Sequence, residues 1–101
     1  MASMPKPLPA ATPATVVVKI SGALAHLFPG APRRMEVSAG SVAEMIAALD
    51  AEWPGMRDRI CDSTPAIRRH MNVFVDGKRA TLTTPLQPGT DVFVLTAISG
   101  G

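Results

Sequence analysis

The sequence ends on two glycines, Gly100 and Gly101, which follow an apolar run reaching to Ala97. Glycine has no side chain to pack and loses the most backbone entropy on ordering, so this pair adds nothing to a core. A glycyl carboxylate is a poor electrophile until it is activated, for example by adenylation. After activation, no Cβ hinders a sulfur or nitrogen nucleophile that attacks the carbonyl carbon of Gly101. The terminus therefore predicts an acyl group that another protein charges.

The other side chains with reactive chemistry are too isolated to predict a catalytic or metal site. His26 and His70 have no nearby cysteine and none of the spacings of a metal site. Cys61 has no histidine or lysine at a spacing that would lower the pKa of its thiol, so we expect a small apolar side chain. No phosphate-binding loop or nucleophile elbow occurs. We therefore expect no catalysis by this chain alone, no metal and no bound cofactor.

Composition favours one domain with an aliphatic core. Hydrophobic residues make up 47% of the 101 residues and aromatic residues only 4%. The net charge of +2 comes from scattered basic pairs, whereas nucleic-acid binding is typically marked by a continuous basic stripe with stacking aromatics. We expect a mildly basic surface that meets an acidic protein partner, and no nucleic acid.

The N-terminal residues differ in composition from the rest of the chain. Residues 1–14 carry four of the ten prolines, mixed with alanine, serine and threonine, which predicts an extended, disordered tail ahead of a domain at residues 15–101. The sequence has neither a secretory signal nor a stretch of transmembrane length. A single cysteine is typical of a reducing compartment. A cytoplasmic location without membrane contact is expected.

Several segments alternate apolar and polar residues with the period of two that is typical of β-strands. Strands are predicted at residues 15–20, 33–38, 71–75, 78–82 and 91–97. The first two are expected to pair antiparallel, and the loop between them carries Leu24, Leu27 and Phe28, which we expect to fold back onto the core. Asp76-Gly77 is a strong hairpin-turn signal because glycine readily adopts a positive φ.

One long amphipathic helix is predicted between the second and third strands. Ser41 and Glu44 have the spacing of a capping box, in which the serine cap stabilises a helix by about 0.5–2 kcal/mol. A single apolar stripe follows, and Pro54-Gly55 ends the helix before a brief helical turn at residues 56–60. The stripe comprises Val42, Met45, Ile46, Leu49 and Trp53. The resulting order β-β-α-β-β-β predicts an α+β domain with one main helix packed on one face of a mixed sheet.

Four features of the sequence together resemble a known family. They are the β-β-α-β order, the segment "GSVAEMIAALDAEWPGMRDRI", the "NVFVDG" hairpin and the ending "TTPLQPGTDVFVLTAISGG". With these features the chain is similar, over about residues 15–101, to the MoaD/ThiS family of ubiquitin-like sulfur carriers. The stretch "RRHMNVFVDGKRA" after a helix ending in "EWPG" is most similar to the CysO-type subgroup. Thr96 departs from the proline that family members often have near this point.

The resemblance implies a β-grasp fold and a protein co-substrate in place of an enzyme. In such carriers an E1-like adenylating enzyme uses ATP to activate the carboxylate that corresponds to Gly101. Sulfur from a persulfide then converts the adenylate to a thiocarboxylate. The resemblance thus implies that Gly101 carries the sulfur and that Gly100 keeps the tail slim.

The resemblance leaves open which protein receives the sulfur. A cysteine synthase-like enzyme would take the sulfur into cysteine or secondary-metabolite biosynthesis. The large subunit of molybdopterin synthase is the second candidate, with this chain as the small subunit, and a thiazole-forming carrier is the third. An activated Gly101 is equally suited to joining lysine amines, which would make the chain a ubiquitin-like protein modifier. In a further alternative, the chain is a β-grasp interaction domain whose glycines have no role.

Partner-binding residues are predicted on the sheet face opposite the main helix and in the tail. Phe74, Phe93 and Leu95 alternate away from the predicted core, and Ile98 and Ser99 precede the two glycines. A strand in the middle of a sheet can also bury both faces, so the first three side chains are equally candidates for core positions. Three basic side chains are candidates for a salt-sensitive rim of this surface, or for simple solvation: Arg68, Arg69 and Arg79.

Overall fold

The computed structural model describes residues 14–64 and 66–96 of the chain. The first strand begins at Ala14, one residue before the predicted start of the domain. The rest of the predicted N-terminal tail lies outside the described residues. So does the C-terminal segment at residues 97–101.

Five strands form one mixed sheet, as the sequence predicts. They are β1 Ala14–Ile20, β2 Arg34–Ala39, β3 Met71–Val75, β4 Lys78–Arg79 and β5 Asp91–Thr96. Their spatial order is β2-β1-β5-β3-β4. The central strands β1 and β5 run parallel, and the other neighbours are antiparallel, including the predicted β1–β2 pair. The predicted α+β class is confirmed.

Three helices accompany the sheet: α1 Gly22–His26, α2 Val42–Glu52 and α3 Met56–Ile60. Helices α2 and α3 match the predicted helix and the predicted helical turn. Helix α1 was not predicted, because the glycine and proline content of this segment is typical of a loop. Its N-cap is Ser21, whose Oγ accepts the amide of Leu24 at 3.2 Å. The expectation that Leu27 folds onto the core is wrong: the short helix buries Leu24 and leaves Leu27 47% exposed.

The core lies between one face of the sheet and the helices. Val18, Val92 and Val94 supply the sheet side, and the predicted stripe of α2 supplies Ile46 and Leu49, among others. Burying a side chain of this size stabilises a fold by about 1.5–3 kcal/mol. The apolar residues that alternate along β1 and β5 therefore lie in one core with those of α2.

The predicted serine cap of α2 is present. Ser41 Oγ accepts the amide of Glu44 at 3.2 Å. The Glu44 carboxylate accepts the amide of Gly40 at 2.8 Å, one residue ahead of the partner that a standard capping box uses. The carbonyls of Leu82 and Thr84 accept the amides of Ala43 and Val42, both at 3.0 Å. A distant loop therefore completes the start of this helix.

The same loop explains why the return strand of the hairpin is shorter than predicted. Asp76 and Gly77 adopt φ values of 50° and 85°, which are typical of a two-residue type I′ turn. The predicted strand at residues 78–82 nevertheless ends at Arg79. Beyond Ala80, the amide of Thr84 turns back to the Thr81 carbonyl at 3.2 Å. This turn places the loop at the start of α2 and away from the sheet.

Asp50 joins α2 to α3, and its ionisation should make stability depend on pH. Its Oδ1 accepts the amides of Arg57 and Gly55, both at 3.0 Å. The Arg57 amide in particular lowers the pKa of the Asp50 carboxyl from its ordinary 3.8. A depressed folded-state pKa means that the stabilisation is present above 3.8 and is lost as pH falls through the folded value.

We therefore expect Asp50→Asn to be less stable than the wild type at pH 7, with a difference that shrinks as pH falls below 3.8. Urea denaturation at a series of pH values measures it. Glu52→Gln, an exposed neighbour in the same helix, is the control. A difference that stays constant from pH 7 to pH 3 would contradict the assignment.

Candidate functional site

The predicted reactive tail begins where β5 ends. Thr96 is the last described residue of this central strand, and it lies opposite Met71 of β3. The Thr96 and Ser21 hydroxyls are 3.0 Å apart, which ties the end of β5 to the start of α1. The predicted sulfur-carrying Gly101 and its neighbours Gly100, Ser99 and Ile98 lie outside the described residues, so their roles stay predictions. The structure does describe the surface around Thr96, which precedes the tail.

On one side of this point lies the outer sheet face, which we define as Phe74, Phe93 and Leu95. Phe74 and Phe93 are directly opposite in the β3–β5 pair, and the Lys19 ammonium lies 5.0 Å from the centre of the Phe93 ring. All three side chains are partly exposed and lie outside the core cluster. Among the described elements, all three helices bury their apolar residues on the opposite face. The outer sheet face is therefore not a second core; its predicted role in partner binding stays a prediction.

The three arginines predicted as a rim lie together beside this face. Arg68, Arg69 and Arg79 line one depression of about 210 Å³. Arg79 Nη2 donates to Asn72 Oδ1 at 2.6 Å, and Asn72 lies directly opposite Leu95 in the sheet. The depression is therefore continuous with the outer sheet face.

On the other side of Thr96 lies a larger groove of about 690 Å³ between α1, α3 and the start of β3. Arg59 and Arg68 line it together with His70, and Leu27 is exposed beside them. Sequence reasoning missed this groove. The serine cap of α1 is the signal that would have predicted the exposed position of Leu27. No local pattern indicates that Arg59 approaches the end of β5.

Cys61 is buried, in agreement with its interpretation as a small apolar side chain. It is 5% exposed, and burial raises the pKa of its thiol despite the opposing effects of Arg57 and Arg68. A thiol that resists ionisation is a weak nucleophile. It lines a cavity of about 210 Å³ with Arg57 and Leu82, away from Thr96.

Within residues 14–64 and 66–96, few other groups are placed to form a site. No group of three or more histidine, cysteine, aspartate or glutamate side chains is placed to hold a metal ion there. Each buried side-chain nitrogen or oxygen in this part of the chain has a hydrogen-bond partner. The described helices are all too short or too polar to cross a membrane.

The architecture defines the class of protein. A mixed sheet with parallel central strands and one long helix across one face is the ubiquitin-like β-grasp fold. The family model named ThiS matches residues 18–101. The chain belongs to the ThiS family, which confirms the resemblance drawn from its motifs.

Solved structures share the fold at low sequence identity. CysO in the BexX/CysO complex of Amycolatopsis orientalis has a TM-score of 0.76 at 23% identity, covering 85% of this chain and 99% of its own. Small archaeal modifier protein 1 from Haloferax volcanii has a TM-score of 0.74 at 22% identity, covering 87% of this chain and 100% of its own. CysO from Mycobacterium tuberculosis has a TM-score of 0.73 at 24% identity, covering 82% of this chain and 99% of its own. No curated protein matches the sequence.

Proposed function

We propose that this chain is a sulfur carrier in which the carboxylate of Gly101 is adenylated and then converted to a thiocarboxylate. The observation that carries the proposal is that the ThiS family model continues through Gly100 and Gly101. The fold supports it, because the tail follows a strand in the centre of the sheet and its base is anchored at Thr96. The chain acts as a co-substrate, and the catalytic groups belong to its partners.

The proposed chemistry has two steps. A Gly101 carboxylate oxygen attacks the α-phosphorus of ATP, and pyrophosphate leaves. Sulfide then attacks the carbonyl carbon of the acyl adenylate, the C–O bond to the phosphate breaks, and AMP leaves. The product is a terminal thiocarboxylate. If the donor is a persulfide, the attack gives an acyl disulfide, and a further thiol must reduce it to release the thiocarboxylate.

The proposed first partner is an E1-like adenylating enzyme that docks on the outer sheet face. Phe74, Phe93 and Leu95 offer it an apolar surface beside the start of the tail. The solved BexX/CysO complex gives a precedent, since a β-grasp protein there forms a complex with a second protein. ATP is used by the enzyme and is not bound by this chain alone.

For the recipient of the sulfur, we propose an enzyme of cysteine or secondary-metabolite biosynthesis, such as a cysteine synthase-like protein. The motif "RRHMNVFVDGKRA" and the two CysO structures that share the fold support this choice. The small subunit of molybdopterin synthase is the alternative in the same class. A modifier function is a second candidate, because small archaeal modifier protein 1 has the same fold.

The test is the intact mass of the protein after incubation with ATP, an E1-like enzyme and sulfide. We expect an increase equal to the mass of a sulfur atom minus that of an oxygen atom, located at Gly101 by fragmentation. Reactions without ATP or without the enzyme are the controls. An unchanged mass in the complete reaction would overturn the proposal. Conjugates of high mass on a blot of cell lysate would favour the modifier function.

A further inference from the structure

A continuous basic surface lies beside Thr96, the last described residue before the tail. We call it the basic band and define it by five side chains that line the groove, the adjoining depression or both: Arg59, Arg68, Arg69, His70 and Arg79. The groove and the depression share Arg68 and Met71, so the two form one surface. The only acidic side chain among the described residues that line them is Asp58. The four arginines of the band are therefore four of the chain's 10 lysine and arginine residues, against one of its 8 acidic residues, so positive charge is concentrated here.

Two guanidinium groups of the band are held in place before any partner arrives. Arg68 Nε donates to the Asp58 carbonyl at 2.8 Å, and Arg79 Nη2 donates to Asn72 Oδ1 at 2.6 Å. Ordering such a side chain on binding costs conformational entropy, and prior ordering removes much of that cost. Because a guanidinium has five N–H donors in a planar fork, both side chains retain donors that suit a carboxylate.

The groove also has an apolar element. Leu27 is 47% exposed, which makes it the one exposed large hydrophobic side chain among the described residues, and it lies in the groove with Met71. A matching ligand therefore combines carboxylates with an apolar side chain. Among the described residues that line the groove and the depression there is no phenylalanine or tryptophan, whereas binding of single-stranded nucleic acid relies on aromatic side chains that stack with bases.

The position of the band relative to the tail indicates which protein binds it. Thr96, the last described residue before the tail, lines the groove, and Asn72 connects the depression to Leu95 of the outer sheet face. A protein that receives the tail and covers the outer sheet face lies directly against the band. The band is therefore an extension of the proposed enzyme interface.

We propose that the basic band docks an acidic segment of the activating enzyme, and that an apolar side chain of this segment packs against Leu27. The inference rests on the proposed function, because that function supplies the partner. Charge complementarity of this kind raises the association rate and makes affinity sensitive to salt.

The test measures the Kd between the E1-like enzyme and the whole chain without ATP, at low and at moderate salt. The variant is Arg59→Glu with Arg69→Glu, which leaves the two hydrogen-bonded arginines intact. The control is Arg57→Glu with Lys78→Glu, an equal charge change at exposed positions outside the band. We expect the Kd of the band variant to rise at least about tenfold with a reduced salt dependence, and the control to bind like the wild type.

Leu27→Ser gives a second, uncharged variant, which we expect to weaken binding at both salt concentrations equally. Equal Kd values for the band variant and the control would overturn the inference, as would absence of binding by the wild type. Displacement of the enzyme by a single-stranded oligonucleotide, but not by a polyglutamate peptide, would overturn it in favour of nucleic acid. Since no ATP is present, binding that depends on the band supports this inference even if sulfur loading fails. Loading without such dependence supports only the proposed function.

Discussion

Deletion of Gly100 and Gly101 should abolish thiocarboxylate formation and leave the stability of the fold unchanged. The variant would end on Ser99, whose side chain widens the tail and hinders attack on the carbonyl carbon. The described core extends from Val16 to Val94, so the deletion removes none of it. Intact mass after incubation with ATP, an E1-like enzyme and sulfide measures loading. Urea denaturation measures the free energy of unfolding.

A matched control removes Ala2 and Ser3, two residues from the opposite end of the chain, and should load sulfur like the wild type. Gly101→Val adds a sharper comparison. It keeps a terminal carboxylate at the original chain length and adds a branched side chain beside the reacting carbonyl. We expect slow loading from this variant. Loading of the shortened chain at the wild-type rate would show that the glycines have no role and that the domain serves interaction alone.

Phe93→Ser should abolish adenylation while the domain remains folded. The substitution removes the aromatic pair with Phe74 and the contact with the Lys19 ammonium, each worth at most about 1 kcal/mol. Typical domains are stable by roughly 5–15 kcal/mol, so these losses leave the fold populated. The free energy of binding is affected more strongly than that of folding, because truncating a buried aromatic anchor at the centre of an interface costs about 2 kcal/mol or more of binding free energy.

The measurement is ATP–pyrophosphate exchange catalysed by the E1-like enzyme, with circular dichroism as the test of folding. Met35→Ser is the control, because Met35 is also partly buried but packs against the core on the helix side of β2. The control should lose stability and keep exchange activity. Normal exchange by a folded Phe93→Ser protein would remove the outer sheet face from the proposed interface.

The two predictions test separate parts of the proposed function. The deletion replaces the unhindered Gly101 carboxylate by that of Ser99, two residues nearer the domain, whereas Phe93→Ser removes a surface that positions the reacting group. At a saturating enzyme concentration, adenylation of the Phe93→Ser protein should be partly restored, because mass action drives binding even through a weakened interface. The defect of the deletion variant should not be restored at any enzyme concentration, because its carboxylate is hindered by the Ser99 side chain and lies two residues short of the original position.

Most of the elements could be predicted from local pattern. The alternation in β1 and β5, the Ser41 cap of α2 and the Asp76-Gly77 turn depend on neighbouring residues. Local backbone preferences and a consistent apolar face suffice to specify them. The errors have two different causes. Helix α1 was missed because its glycine and proline surroundings indicate a loop, and the length of β4 depends on a turn that hydrogen-bonds with the distant start of α2.

By itself, the sequence determined most of the elements and the α+β class, because period and capping act over a few residues. The reactivity of its final glycines stays a prediction. Only the tertiary structure decided what lies around Thr96, the last described residue before the tail. The parallel pairing of β1 with β5 makes β5 a central strand, and the β3–β5 register sets Phe74 against Phe93. The same packing places Arg59 and Arg68 in one groove with Thr96. Contacts between residues so far apart in the chain depend on how whole elements pack, and no local pattern encodes them.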